Sequence, residues 1–180
     1  MSLVERKYMA HYLDTSFQYV PGESASFTKN WYRLGEDLDE YNIELNPTIS
    51  VAQNVYGEDT LIHENYEISG EAKSFYARSG DTLYDKLQDI IDNLKMNRFC
   101  YTLALDVRLW EKTTYPGVDP ATDVFKAYMR PCYVVPTSFG GDTSGYQIPF
   151  NVYYLNTFSV YGAFLPDRAG SGSFLSLTQV

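Results

Sequence analysis

Histidine and cysteine are scarce in this chain, two of each in 180 residues. His11 and His63 stand far apart and in no H-x-x-x-H, H-E-x-x-H or Cys/His cluster, so the usual zinc patterns are excluded and no metal or other cofactor is expected. Cys100 and Cys132 lack any short metal-type spacing. One disulfide between them is compatible with the count, but they fall in separate predicted strands and read as free, structural thiols. No apolar run approaches the ~20 residues needed to cross a bilayer, so no membrane insertion is expected. Met1 to Ala10 also lacks the uninterrupted apolar segment of a secretory signal, which assigns folding to a cytoplasm. Positive charge is missing from one long stretch: between Leu34 and Ala72 there is not one Lys or Arg.

That same stretch holds ten carboxylates: Glu36, Asp37, Asp39, Glu40, Glu44, Glu58, Asp59, Glu64, Glu67 and Glu71. Like charges in a block repel and favour disorder. Here they are interleaved with Tyr41, Ile43, Ile49, Val51, Leu61, Ile62 and Tyr66, which can anchor a backbone, so the stretch reads as a folded, acid-faced surface. Residues 1 to 95 carry 17 acids against 8 bases and residues 96 to 180 carry 6 of each, so the whole net charge of −9 sits in the first half. Nucleic-acid affinity comes mainly from Lys and Arg displacing counterions. A sequence-reading DNA or RNA binder is therefore not expected, leaving a solvated acidic face or a wall to which a passing polyanion does not stick.

At this length one domain with a sizeable core is the default. The 17 Tyr and 10 Phe favour strands, and Tyr also suits interfaces. Residues 1–30 read as a polar arm and loop. A short strand over Trp31 to Leu34 precedes the acidic stretch, which Asn46-Pro47 breaks with a turn. Ile49 to Tyr56 and Tyr66 to Phe75 read as strands, with Gly57-Glu58-Asp59 as turn material between them. Thr82 and Asp85 have the shape of a capping box, and Leu83, Leu87, Ile90, Ile91 and Leu94 form one apolar stripe, predicting a helix over about 81–96. Phe99 to Trp110 alternates cleanly, with one buried and one wetter face. Val124 to Val135 is a strand in which Pro131 suggests an edge or a bulge. Tyr146 to Leu155 and Phe158 to Phe164 suggest a hairpin across Asn156-Thr157, and the Gly/Ser-rich tail 166–180 reads as flexible. The fold class is mainly β: an antiparallel β-sandwich or barrel with one flanking α-helix.

No motif carries chemistry. Ser138 to Gly145 is glycine-rich, but Tyr146 stands where a P-loop needs Lys, and a strand rather than a helix follows. The carboxylates fall in turns, in the helix cap and on the acidic stretch, with nothing that pairs two of them across a sugar, so no enzyme is expected. Asp106 and Arg108, on the wetter side of their strand, suggest an ion pair within or between subunits. A tyrosine platform that stacks on carbohydrate is the alternative: a carbohydrate-binding β-sandwich module.

Three segments in order, WYRLGEDLDEYNIELNPTISVAQNVYGED (Trp31 to Asp59), ENYEISGEAKSFYARSGDTLYDKLQDII (Glu64 to Ile91) and PTSFGGDTSGYQIPFNVYYLNTFSVYGAF (Pro136 to Phe164), resemble the phage major tail tube proteins of tailed phages and phage-derived particles of Gram-positive bacteria. The resemblance implies a β-sandwich domain over 31–165, hexameric rings stacked into a hollow tube, and DNA passing through the lumen without specific binding. It implies further tail partners, namely tape measure, terminator and distal tail proteins, and a place in the virion; for the carbohydrate-binding alternative it implies a module of a phage tail tip. The acidic segment corresponds to the long loop that bridges subunits or rings. The candidate interface residues are therefore Glu36, Asp37, Asp39, Glu40, Asn46, Gly57 and Glu58, with Gly140, Gly141, Asp142 and Tyr146 of the glycine turn. Met1 to Phe27 and the chain beyond Leu165 depart from the family pattern. Deleting residues 1–20 or 166–180 is expected to impair stacking more than folding.

Overall fold

A computed structural model describes residues 5–35, 38, 40–155, 160–167 and 172–176. In chain order its elements are β1 (Met9–Asp14), β2 (Trp31–Leu34), β3 (Asn42–Glu44), β4 (Pro47–Gln53), β5 (Asp59–Tyr66) and β6 (Ser69–Ala72). Then come α1 (Thr82–Asp92), β7 (Tyr101–Thr113), β8 (Val124–Pro136), β9 (Gly140–Asp142), β10 (Gly145–Gln147), β11 (Phe150–Tyr154), β12 (Val160–Pro166) and β13 (Gly172–Ser176). The chain is mainly β, an antiparallel sheet curled into a half-barrel with one α-helix among the described residues.

The main sheet runs β2-β1-β7-β8-β11-β6-β3, with β12 beside β8 and β13 beside β12. Alternation fixes what each face carries. Tyr12, opposite Leu105, which faces Met129, points to one side; Leu13, opposite Ala104, points to the other. Each side holds its own core. One gathers Leu13, Ala104, Cys132, Val134, Phe150 and Val152 under Leu83 and Leu87 of α1. The second gathers Tyr12, Leu103, Leu105, Val107, Met129 and Phe164 with Tyr19 and Trp31. Since both faces are covered in mid-strand, Thr102 to Leu105 are buried in succession, and the wetter face expected of β7 begins only at Asp106.

Several elements differ from the sequence reading. The polar arm contains β1, an interior strand buried from Ala10 to Asp14. Its polar residues hide it in sequence because their partners lie elsewhere: Asp14 Oδ1 accepts from the backbone N–H of Ser16 (3.0 Å) and of Asn30 (2.8 Å). Removing residues 1–20 would therefore remove part of the core. The tail contains β13, paired with β12 from Gly162↔Ser176 to Pro166↔Gly172 and packed through Phe174 on the second core, so it is not free-hanging there. The expected hairpin across Asn156-Thr157 does not form among the described residues. β11 and β12 both pair with β8, at Tyr154↔Cys132 and Val160↔Met129, and follow each other along one edge of it; positions 156–159 lie outside the description. Pro131 is accordingly not on an edge strand. Its carbonyl accepts from Leu155 N (2.9 Å), so its nitrogen, which lacks a hydrogen, faces the gap between β11 and β12.

The helix begins at Thr82, and its cap falls one residue before the expected one. Asp81, rather than Thr82, is the N-cap: its Oδ1 accepts from Leu83 N (2.8 Å) and Tyr84 N (3.3 Å), while Tyr32 Oη donates to its Oδ2 (2.6 Å). The helix also stops short of 96. Leu94 has φ 46, a left-handed backbone that ends the helix and turns this last stripe residue out to solvent. Both cysteines are free and buried, and burial pushes the Cys132 thiol well above its ordinary range.

Candidate assembly surface

Residues 47–66 form a two-stranded sheet of their own, β4 against β5, which no strand of the main sheet continues among the described residues. Polar bonds hold it at both ends. At the root Asn46 Nδ2 donates to Glu67 O (3.0 Å) and Ser69 Oγ (3.1 Å). At the tip Asn54 Oδ1 accepts from Tyr56 N (2.9 Å) and Glu58 N (3.0 Å), and Gly57 takes the positive φ of 80° that the turn needs.

Between these clasps the two faces differ. The cross-strand pairs Ile49↔His63 and Val51↔Leu61 share one face. A register shift between Thr48 and Ile49 returns Tyr66, opposite Pro47, to that face, where its ring meets His63 edge-on at 4.2 Å between centroids. The opposite face carries Ser50 and Glu64, joined at 2.6 Å, with Ala52, Thr60 and Ile62. The ribbon is thus more apolar on the first face, although Ile62 is exposed on the second. Yet Ile49 is 58%, Val51 64% and Leu61 72% exposed. Each aliphatic side chain stands to gain about 1.5–3 kcal/mol on burial.

The structure divides the predicted interface residues. Asn46, Gly57 and Glu58 lie on this hairpin, the first as root clasp and the others at its tip. Glu58 Oε2 accepts from Asn54 Nδ2 at 2.7 Å. Glu40 is exposed ahead of β3, at the end of that strand away from the root, and accepts from Asn42 Nδ2. Glu36, Asp37 and Asp39 lie outside the described residues. The glycine turn forms a second, smaller hairpin, β9 with β10. Gly140, Gly141 and Asp142 are exposed there, and Asp142 Oδ1 accepts from Ser144 N (2.7 Å) across the turn. A Cβ on Gly141 would sit 2.2 Å from the carbonyl oxygen of Gly145, so the close approach requires glycine. Tyr146 faces inward, donating to Gln88 Oε1 of α1 (3.1 Å). The two hairpins belong to different sheets. Sequence reasoning missed the contact-capable side chains Val51, Leu61 and Tyr66 themselves; the alternation Ile49, Val51 opposite Leu61, His63 was the available signal.

Asp106 pairs differently from the expectation. Its Oδ1 shares a 2.6 Å hydrogen bond with buried His11 Nδ1, whereas Arg108 turns to Glu111 (3.5 Å) and lies 4.6 Å over the Tyr128 ring. Tyr41 packs edge-on to His11, and its hydroxyl bonds that of Tyr154 (2.9 Å). Burial pushes both tyrosines far above their ordinary range, so this network stays neutral in the tyrosines and is a packing device. No helix among the described residues is long and apolar enough to cross a membrane. No protein-family model matches the chain, and no curated protein matches it significantly.

Proposed function

We propose that this chain is a tail tube subunit of a tailed phage or phage-derived particle: a structural virion protein, without catalysis or cofactor, made in the host cytoplasm. Its copies close into hexameric rings that stack into a hollow tube for DNA. The observation that carries this reading is the β4–β5 hairpin. A two-stranded ribbon is marginal in water unless something backs it, and this one offers a bare apolar face with polar clasps that hold it in shape. A sister copy supplies the backing. The open sheet edges support the same conclusion. Among the described residues β2 is laddered only to β1, β3 only to β6 and β13 only to β12. Exposed edges are a liability in a monomer, and joining copies around an axis removes it.

The charge fits a conduit. A net charge of −9 repeated around a ring repels phosphate, so DNA passes without adhering. Tape measure, terminator and distal tail proteins are the partners at the ends of such a tube. The carbohydrate-binding alternative finds less support: the Tyr128 and Tyr161 rings, side by side at 5.1 Å, tilt by 56° and offer no flat platform. Electron microscopy of the purified protein across a concentration series tests the proposal. Stacked rings are expected; a monomer at every concentration, above all one that binds a glycan, would overturn it.

A further inference from the structure

The curl of the main sheet brings its end strand β3 back toward β1, where Tyr41 meets His11 at 5.2 Å between ring centroids. A recess of ≈ 630 Å³ remains between β3 and the strands β1, β7 and β8. Three guanidinium groups line it, those of Arg6, Arg108 and Arg130. Asp106 is the one carboxylate in that lining among the described residues, and its Oδ1 already shares a 2.6 Å hydrogen bond with His11 Nδ1. A chain whose net charge is −9 thus gathers positive charge at this place. Arg6 directs its N–H groups to two neutral oxygens, the backbone carbonyls of Met9 (2.6 Å) and Tyr41 (3.3 Å). Arg108 lies 4.6 Å over the Tyr128 ring, and its Nη1 comes within 3.5 Å of Glu111, which Lys126 approaches more closely, at 3.0 Å. Neither of these two guanidiniums has a carboxylate to itself among the described residues.

We infer that this recess binds a small organic anion, its phosphate or carboxylate group held by Arg6, Arg108 and Arg130 and its apolar body set against Ile43, Leu45 and Tyr128. The volume is that of a small-molecule site, which spans about 300–1,000 Å³. Stacking on Tyr128 uses the face of the Arg108 guanidinium and not the N–H groups on its edge, and edge groups in that fork grip an oxyanion in pairs. The lining also decides between an organic anion and a bare one. Ile43 and Leu45, the latter 51% exposed, offer aliphatic surface beside the charges, which an inorganic ion would leave in water. Every group named belongs to one copy of the chain, so the inference stands apart from the tube reading.

Calorimetric titration of the wild-type chain at low salt with phenyl phosphate, benzoate and inorganic phosphate tests this. Saturable binding of phenyl phosphate or benzoate is expected at about one per chain and at least about tenfold tighter than inorganic phosphate, because only the organic probes bury a ring; the tighter of the two names the head group. Arg6→Gln and Arg108→Gln change an exposed and a partly exposed side chain and are each expected to weaken that binding at least about fivefold, the loss of a charge-assisted hydrogen bond. Arg98→Gln removes a cation that lies over Phe99, outside the recess, and is expected to leave binding unchanged. Three results overturn the site: no saturable binding of either organic probe, inorganic phosphate binding as tightly as both, or a loss in Arg98→Gln equal to that in the two recess variants.

Discussion

Two antiparallel ladders in this chain draw on the same kind of residue and end in opposite circumstances. Along β7 and β8 the pairs Leu103↔Pro131 and Leu105↔Met129 lie under a packed layer on each side of the sheet. Along β4 and β5 the pair Val51↔Leu61 has the same alternation and no layer at all. Alternating apolar side chains specify a strand in both places, but only covering that face stabilises it. The two ladders separate residues that hold the fold together from residues that no layer of it covers.

The contrast breaks most sharply in the core. Phe150, fully buried and edge-on to Phe75, should lose about 3–5 kcal/mol of stability on change to Ala, read from urea denaturation. Gly70→Ala should cost about 1–3 kcal/mol, because the new Cβ would lie 2.4 Å from Tyr41 Oη and displace a ring bonded to Tyr154. Losing the cap through Asp81→Ala should cost about 1 kcal/mol in the same assay and also release the Tyr32 hydroxyl. Replacing residues 47–66 by a tight turn should move stability by no more than about 0.5 kcal/mol, since every residue of β5 is exposed, and yet abolish particles in the microscope. A large stability loss in that last variant would mean that the hairpin belongs to the subunit's own core after all.

How legible these regions were in sequence follows the range of the interactions involved. The helix is readable because its stripe and its cap are both local; only its end escapes, since the left-handed turn at Leu94 leaves no mark in the periodicity. β7 and β8 are readable from alternation. β1 is not, because the partners of His11 and Asp14 come from Asp106 and from the backbone at Ser16 and Asn30. β5 escapes for another reason: the register shift places Tyr66 three residues after His63 on one face, which spoils a strict period of two. At the candidate surface the acids and turn residues stood out, whereas the uncovered aliphatic face depends on what fails to pack there, and no local pattern reports that.

The two cores rest on opposite sides of a shared partition, β1 with β7 and β8, which β11 extends under the first and β12 under the second. Loosening one therefore strips support from the other, and the subunit should come apart with heat in a single cooperative step. A fold of that kind has no soft half: it is either whole or gone.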